Sequence, residues 1–591
     1  MLVSRLEDGS IVDVTSPQWN VRTRVHEYGG GSFTVTNGTV FFSNFADQRL
    51  YVLEPGAEPR ALTAEGMRYA DAEPDRRRHR LVLVREDHRK DDREAVNTIV
   101  VMAMDGADER VLASGYDFYS TPRISPDGSK LAWLSWNHPN MPWDASELWV
   151  APFDDDGNLG EPERIAGGQD ESIFQPSWSP EGVLHWVSDR TGWWNLYKQR
   201  GAEIEALYPL EAEFGLAQWV FGLTTYGFVD ERTLLCTYSQ NGSPRLALLD
   251  TENRDLRRVV HKFSGFDFLH VAGNNAWAVA TSATEPSALV HIDIAAKSCE
   301  VLRSGSATQI DPRYLSLPEH VEFPTEDGLT AYGYLYLPKN PDFEAPAGEK
   351  PPLLVKSHGG PTDNASSSLK ALYQYWTSRG FAILDVDYGG STGYGRAYRK
   401  RLAGRWGIVD VDDCVAGAKY LVERGLVDGN RLTIDGGSAG GYTTLAVLTF
   451  RNTFKAGASY YGVSDLAALA TDTHKFESRY LDGLVGPYPE RQDIYVERSP
   501  IWHVDRLACP LILFQGLEDK VVPPAQAISM YAAAKTKGLP VAYLAFEGEQ
   551  HGFRRAENIK RALEAEFYFY ARVFGYTPAD TIEPVEIANL S

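Results

Sequence analysis

A turn-plus-strand pattern recurring about every 45 residues in the first half of the chain, and a strand, glycine-rich turn and helix in succession in the second, predict an all-β propeller followed by an α/β-hydrolase domain. The propeller is expected over residues 1–308 and the α/β domain over residues 309–591. A third observation agrees: from Glu27 to Ala307 no long helical periodicity occurs and aromatic residues abound.

In the first half Ser125-Pro126-Asp127-Gly128-Ser129-Lys130-Leu131-Ala132-Trp133 returns as Ser179-Pro180-Glu181-Gly182-Val183-Leu184-His185-Trp186, each time a turn leading into a strand. Further strands of the same kind read at residues 49–53, 147–151 and 195–198. Repeats begin near Glu27, Met67, Tyr116, Gln169, Phe214 and Ser264. With one hairpin in residues 1–22, this makes about seven blades, the first incomplete. A pair of β-sandwiches is the alternative, and it would need no regular repeat. The basic run Arg76-Arg77-Arg78-His79-Arg80 reads as a solvated blade edge.

The second half opens at residues 319–323 and 329–337, which alternate like a hairpin, and a Pro-, Ala- and acid-rich surface loop follows at 338–350. Residues 352–357 form a strand candidate running into His358-Gly359-Gly360-Pro361. Residues 431–434 form another, ahead of Asp435-Gly436-Gly437-Ser438-Ala439-Gly440-Gly441-Tyr442 and an apolar helix. This is a G-x-S-x-G elbow, in which a sharp turn lifts Ser438 out of the sheet as a candidate nucleophile and glycines let strand and helix nearly touch. A serine hydroxyl needs a base to take its proton and donors to receive the oxyanion. In this fold the partners follow in the order Ser, acid, His. The strand at 510–516 leads to the adjacent acids Glu518 and Asp519. A helix at 524–537 and a strand at 541–546 follow, and then His551 beside Gly552. His474 and His503 precede the acids and so have the wrong chain order. The Ala439 N–H supplies one oxyanion donor. A second comes from a glycine of the 358–361 loop, since Pro361 has no N–H.

With these pieces in place, the second half resembles the prolyl oligopeptidase family of serine peptidases, and in particular its acylaminoacyl-peptidase and aminopeptidase-like branch. The motifs are His358-Gly359-Gly360-Pro361, Asp387-Tyr388-Gly389-Gly390-Ser391-Thr392-Gly393-Tyr394-Gly395, the elbow, Gly516-Leu517-Glu518-Asp519 and Gly548-Glu549-Gln550-His551-Gly552-Phe553. The resemblance implies a Ser438–Asp519–His551 triad, an oxyanion hole from the Gly360 and Ala439 N–H groups, and a P1 pocket lined by Tyr442, Val463, Leu466 and Val522. It also implies a propeller over the active site that admits short peptides and excludes folded proteins. Several acylaminoacyl peptidases carry an arginine two residues after the triad aspartate; Val521 stands there in this chain, which favours a free-amine aminopeptidase. Glu27, in His26-Glu27-Tyr28-Gly29-Gly30-Gly31, is a candidate anchor for that amine.

The expected function is therefore hydrolysis of short peptides or peptide-like amides near the N-terminus, with no metal or organic cofactor. Alternatives are an acylaminoacyl or dipeptidyl peptidase, a hydrolase of small amide antibiotics, or a propeller scaffold with an inactive hydrolase domain. A net charge of −22 argues against nucleic acid as a partner. No apolar run approaches a membrane span and none near Met1 resembles a signal peptide, so no membrane partner is expected. Four scattered cysteines, Cys236, Cys299, Cys414 and Cys509, suit the cytoplasm. A homo-oligomer is compatible with this reading.

Overall fold

The computed structural model describes residues 1–90, 94–307 and 309–590. It divides the chain into two compact units: residues 1–281 with 287–305, and residues 282–286 with 306 onward. Thr308, on which the expected boundary falls, lies outside the described residues.

Among the described residues the first unit holds six consecutive four-stranded antiparallel sheets and one two-stranded sheet, Val3–Arg5 with Ile11–Asp13. Each four-stranded sheet takes its strands in chain order, as the expected repeat requires. The first runs from Phe33–Thr36 to Arg60–Ala61 and the last from Gly265–Ala272 to Ser298–Ser304. The recurring turn has a local cause. Asp127 accepts hydrogen bonds from the Ser125 hydroxyl (2.6 Å) and the Ser129 N–H (3.0 Å), which hold its carboxyl down at about 2. The strand Lys130–Trp136 follows at once and buries all but its first residue. Inner strands bury apolar residues on both faces where a sheet packs between two others: in the second sheet Leu81 and Leu83 face Phe41 and Leu50 of the first, and Val82 and Val84 face Tyr119 and Leu131 of the third, all four fully buried.

The basic run departs from the expected solvated edge. Arg76 and Arg77 are exposed, but Arg80 is buried, its Nε 2.8 Å from Asp75 Oδ2, and Arg78 lies 3.2 Å from the same oxygen. Both guanidinium groups stack over the Phe153 ring, so the run docks one sheet on the next.

The second unit contains an eight-stranded sheet. Its order is Glu319–Pro324, Thr330–Tyr336, Ala382–Asp387, Leu353–Ser357, Leu432–Gly437, Ala456–Tyr460, Leu511–Gly516, Val541–Phe546. The first three are antiparallel neighbours and the last six run parallel. The parallel strands are buried almost throughout, as helix-covered strands must be. Helix Val409–Glu423 and helix Ala439–Phe450 pack on the sheet. Helix Ala556–Phe574 buries Phe567, Phe569 and Tyr570 in the core with Trp376, Phe381, Ile383 and Phe514.

Candidate active site

The loops at the carboxyl ends of the parallel strands carry the site, which is where open α/β sheets bind ligands. Strand Leu432–Gly437 ends at Ser438, whose φ of 57° and ψ of −121° form the strained turn of the elbow. The strain persists because the surroundings fix it. Ser438 N–H donates to the Tyr460 carbonyl of the neighbouring strand at 3.0 Å. A Cβ on Gly440 would lie 2.0 Å from the Ser357 carbonyl oxygen, so strand and helix meet where no side chain fits.

The structure brings the three side chains named from sequence into one hydrogen-bonded chain. His551 Nε2 is 2.8 Å from Ser438 Oγ, and His551 Nδ1 is 2.8 Å from Asp519 Oδ2. Asp519 Oδ1 accepts from the N–H groups of Val521 (2.9 Å) and Val522 (3.0 Å), which aims the other oxygen at the imidazole. Of the two adjacent acids, Asp519 is buried and Glu518 points to solvent.

Ala439 is the first residue of its helix, so its N–H has no carbonyl one turn back to bind. Gly360 faces the same pocket from the loop after strand Leu353–Ser357, with φ at 115°, which disfavours any side chain. That loop is fastened from below. Tyr388 stacks on His358 (4.3 Å between ring centroids), and its hydroxyl donates to the His358 and Pro361 carbonyls at 3.1 Å. Burial pushes the His358 imidazole down toward its neutral form, and its Nε2 is 2.7 Å from Ser391 Oγ.

The pocket beside Ser438 holds about 420 Å³, counting its mouth, near the lower end for ligand sites. Val463 and Val522 line it. Tyr442 and Leu466 are absent from its wall: the Tyr442 ring packs on Trp406 (4.5 Å) and its hydroxyl donates to the Arg498 carbonyl. Leu466 is fully buried at the start of helix Leu466–Thr471. Their places are taken by Trp406, Leu469, Tyr480, Leu481 and Leu484. Glu27 belongs to the other unit, where Arg24 and Arg68 hold its carboxylate.

Two further residues escaped the sequence reading. Tyr461, at a positive φ of 40°, sets its ring 4.9 Å from the His551 ring. Glu549 accepts from the Arg554 and Arg555 N–H groups and the Asn558 amide, tying the His551 loop to the start of helix Ala556–Phe574. The acid two residues before His551, close ahead of a long helix, was the available signal.

Among the described residues no His, Cys, Asp and Glu group could hold a metal, and no helix is long and apolar enough to cross a membrane. Residues 367–577 match the model of the prolyl oligopeptidase family. The chain is 31% identical over 311 residues to dipeptidyl aminopeptidase BIII of Pseudoxanthomonas mexicana, a match covering 51% of this chain and 45% of that protein. The chain thus spans less than half the length of the curated relatives it first matches. Solved structures match over far more. A puromycin hydrolase is 37% identical with a TM-score of 0.94, covering 99% of this chain and 92% of the other. A puromycin-hydrolyzing peptidase of Mycobacterium tuberculosis is 41% identical with a TM-score of 0.95 and the same two coverages. With likeness of this extent over nearly the whole of both chains, the protein belongs to the prolyl oligopeptidase family.

Proposed function

We propose that the protein is a serine hydrolase that cleaves short peptides or peptide-like amides next to a free N-terminal amine. The observation that carries this reading is the unbroken hydrogen-bonded chain Asp519–His551–Ser438 at the mouth of a small apolar pocket. In this reading Ser438 Oγ attacks the carbonyl, and His551 Nε2 takes its proton and returns it to the leaving amine. Asp519 keeps Nδ1–H pointed at itself and balances the imidazolium. The Ala439 and Gly360 N–H groups receive the oxyanion, in a site where low dielectric strengthens both bonds. The acyl-enzyme is then hydrolysed by water through the same base.

Hydrolysis of a small amide of the kind named for the two solved relatives is a second activity of the same site, supported by their likeness over 99% of this chain. Val521 on the pocket wall, where a carbonyl-holding arginine would favour blocked substrates, supports the free-amine form. Four free cysteines support a reducing compartment, the cytoplasm. A panel of free, acetylated and dipeptidyl p-nitroanilides, run beside a fluorophosphonate probe, tests the reading. Preference for the free aminoacyl anilide with labelling at Ser438 is expected, and preference for the acetylated one overturns the N-terminal assignment.

A further inference from the structure

The pocket beside Ser438 has one acidic wall residue. Val463, Leu469, Leu481, Leu484 and Val522 make most of its surface apolar, and neither lysine nor arginine lines it, yet Glu477 does. The Glu477 side chain is 14% exposed and ends the short turn Lys475–Glu477. His474 Nε2 lies 4.0 Å from its Oε2. A second polar atom belongs to the same wall: Thr473 Oγ1 is buried without a hydrogen-bond partner. A buried hydroxyl is ordinarily satisfied, so one left unpaired on a pocket wall marks a place for a ligand donor.

We propose that Glu477, with Thr473 beside it, binds an ammonium group of the substrate and so sets the specificity of the Ser438 site. The inference deepens the free-amine reading above and rests on it for the identity of the reaction. A pocket this small takes little more than the residue whose carbonyl Ser438 attacks, so a carboxylate on its wall is within reach of that residue's own groups. Apolar walls weaken the competition from water and strengthen attraction for a cation. An ammonium also offers three N–H donors, enough for a carboxylate oxygen and the Thr473 hydroxyl together. The anchor expected from sequence, Glu27, already faces two arginines. The ammonium has two possible sources, the α-amine of an N-terminal residue or the side chain of a lysine-like residue, and one experiment separates them.

Steady-state kinetics of the full chain and its Glu477→Gln variant are compared on leucine p-nitroanilide, N-acetyl-leucine p-nitroanilide and N-acetyl-lysine p-nitroanilide. The ratio of kcat/KM for an ammonium-bearing substrate over N-acetyl-leucine p-nitroanilide should fall about 30-fold in the variant, the scale of a lost charge-assisted contact. A fall on leucine p-nitroanilide assigns the α-amine, and a fall on N-acetyl-lysine p-nitroanilide assigns the side chain. Unchanged ratios for both overturn the proposal. If the wild type prefers the acetylated leucine substrate, the free-amine reading fails, while Glu477 is still judged by the lysine-to-leucine ratio of the acetylated pair. A check on the unaltered protein guards against a variant that does not fold. Isobutylamine should inhibit at least about tenfold more strongly than isobutanol, and equal potency overturns the assignment.

Discussion

Ser438 and Asp519 act through geometry that single substitutions can remove. Ser438→Ala should abolish amide hydrolysis while leaving the melting temperature within a few degrees, because the hydroxyl is not part of the core. Turnover near the wild-type level would remove Ser438 as nucleophile. Asp519→Asn should cost on the order of 10⁴ in kcat by presenting the wrong tautomer to Ser438. Exposed Glu518→Gln should cost less than about tenfold, and the reverse ranking would exchange the two roles. At this scale chain order and strand ends narrowed the triad to Ser438, His551 and one of the adjacent acids Glu518 and Asp519, and the family resemblance chose Asp519. The sequence could not separate the pocket wall from the core behind it. Tyr442 and Leu466 sit near helix starts next to the site, and only contacts with residues distant in sequence, Trp406 and Arg498 for Tyr442 and Ser499 for Leu466, set them behind the wall.

Elements are held to one another by contacts of backbone on backbone, and these tolerate little. Gly440→Ala would drive a Cβ against the Ser357 and His358 carbonyls at 2.0 and 2.8 Å, atoms that cannot swing aside as a side chain can. It should lower stability by more than about 4 kcal/mol in a urea melt, or yield insoluble protein. Helix Val409–Glu423 offers a pH-dependent test. Asp410 near its start accepts from Gly407 N–H and the Thr443 hydroxyl, and burial pushes its carboxyl up to about 6. A folded-state value above the unfolded one favours the fold at low pH, and that contribution fades as pH rises from about 4 through 6. Above pH 6 the buried charge opposes folding by on the order of 3 kcal/mol. Asp410→Asn should therefore raise the melting temperature relative to wild type more at pH 8 than at pH 4; a pH-independent difference would contradict this. Strands and helices were legible to within a few residues wherever turn chemistry marked them. Blades without the Ser-Pro-acid-Gly turn were harder to see, although Asn37-Gly38 and Asn241-Gly242, all four at positive φ, mark two more hairpins by the type of turn they need.

At the scale of the whole chain, the first unit must join its first sheet to its last, and the hairpin Val3–Arg5/Ile11–Asp13 touches both. Leu2, Val14 and Trp19 pack against Val21, Val40, Phe42, Tyr51 and Leu53 of the first sheet and its approach. Arg5 reaches Glu300 in the last strand of the sixth four-stranded sheet at 3.4 Å. The expected short first blade is thus a two-stranded piece, and the two contacts differ greatly in worth. The ion pair is 39% and 62% exposed, so Arg5→Ala should change stability by less than about 1 kcal/mol. The apolar contact removes parts of Leu2 and Val14 from water, and deleting residues 1–15 should cost about 2–3 kcal/mol. For a unit this size that lowers its melting temperature by roughly 3–5 °C, read by the near-ultraviolet signal of its buried tryptophans. If deletion leaves the transition unmoved, the six four-stranded sheets hold together without the hairpin. If Arg5→Ala lowers it as much as the deletion does, charge rather than burial fastens the hairpin in place.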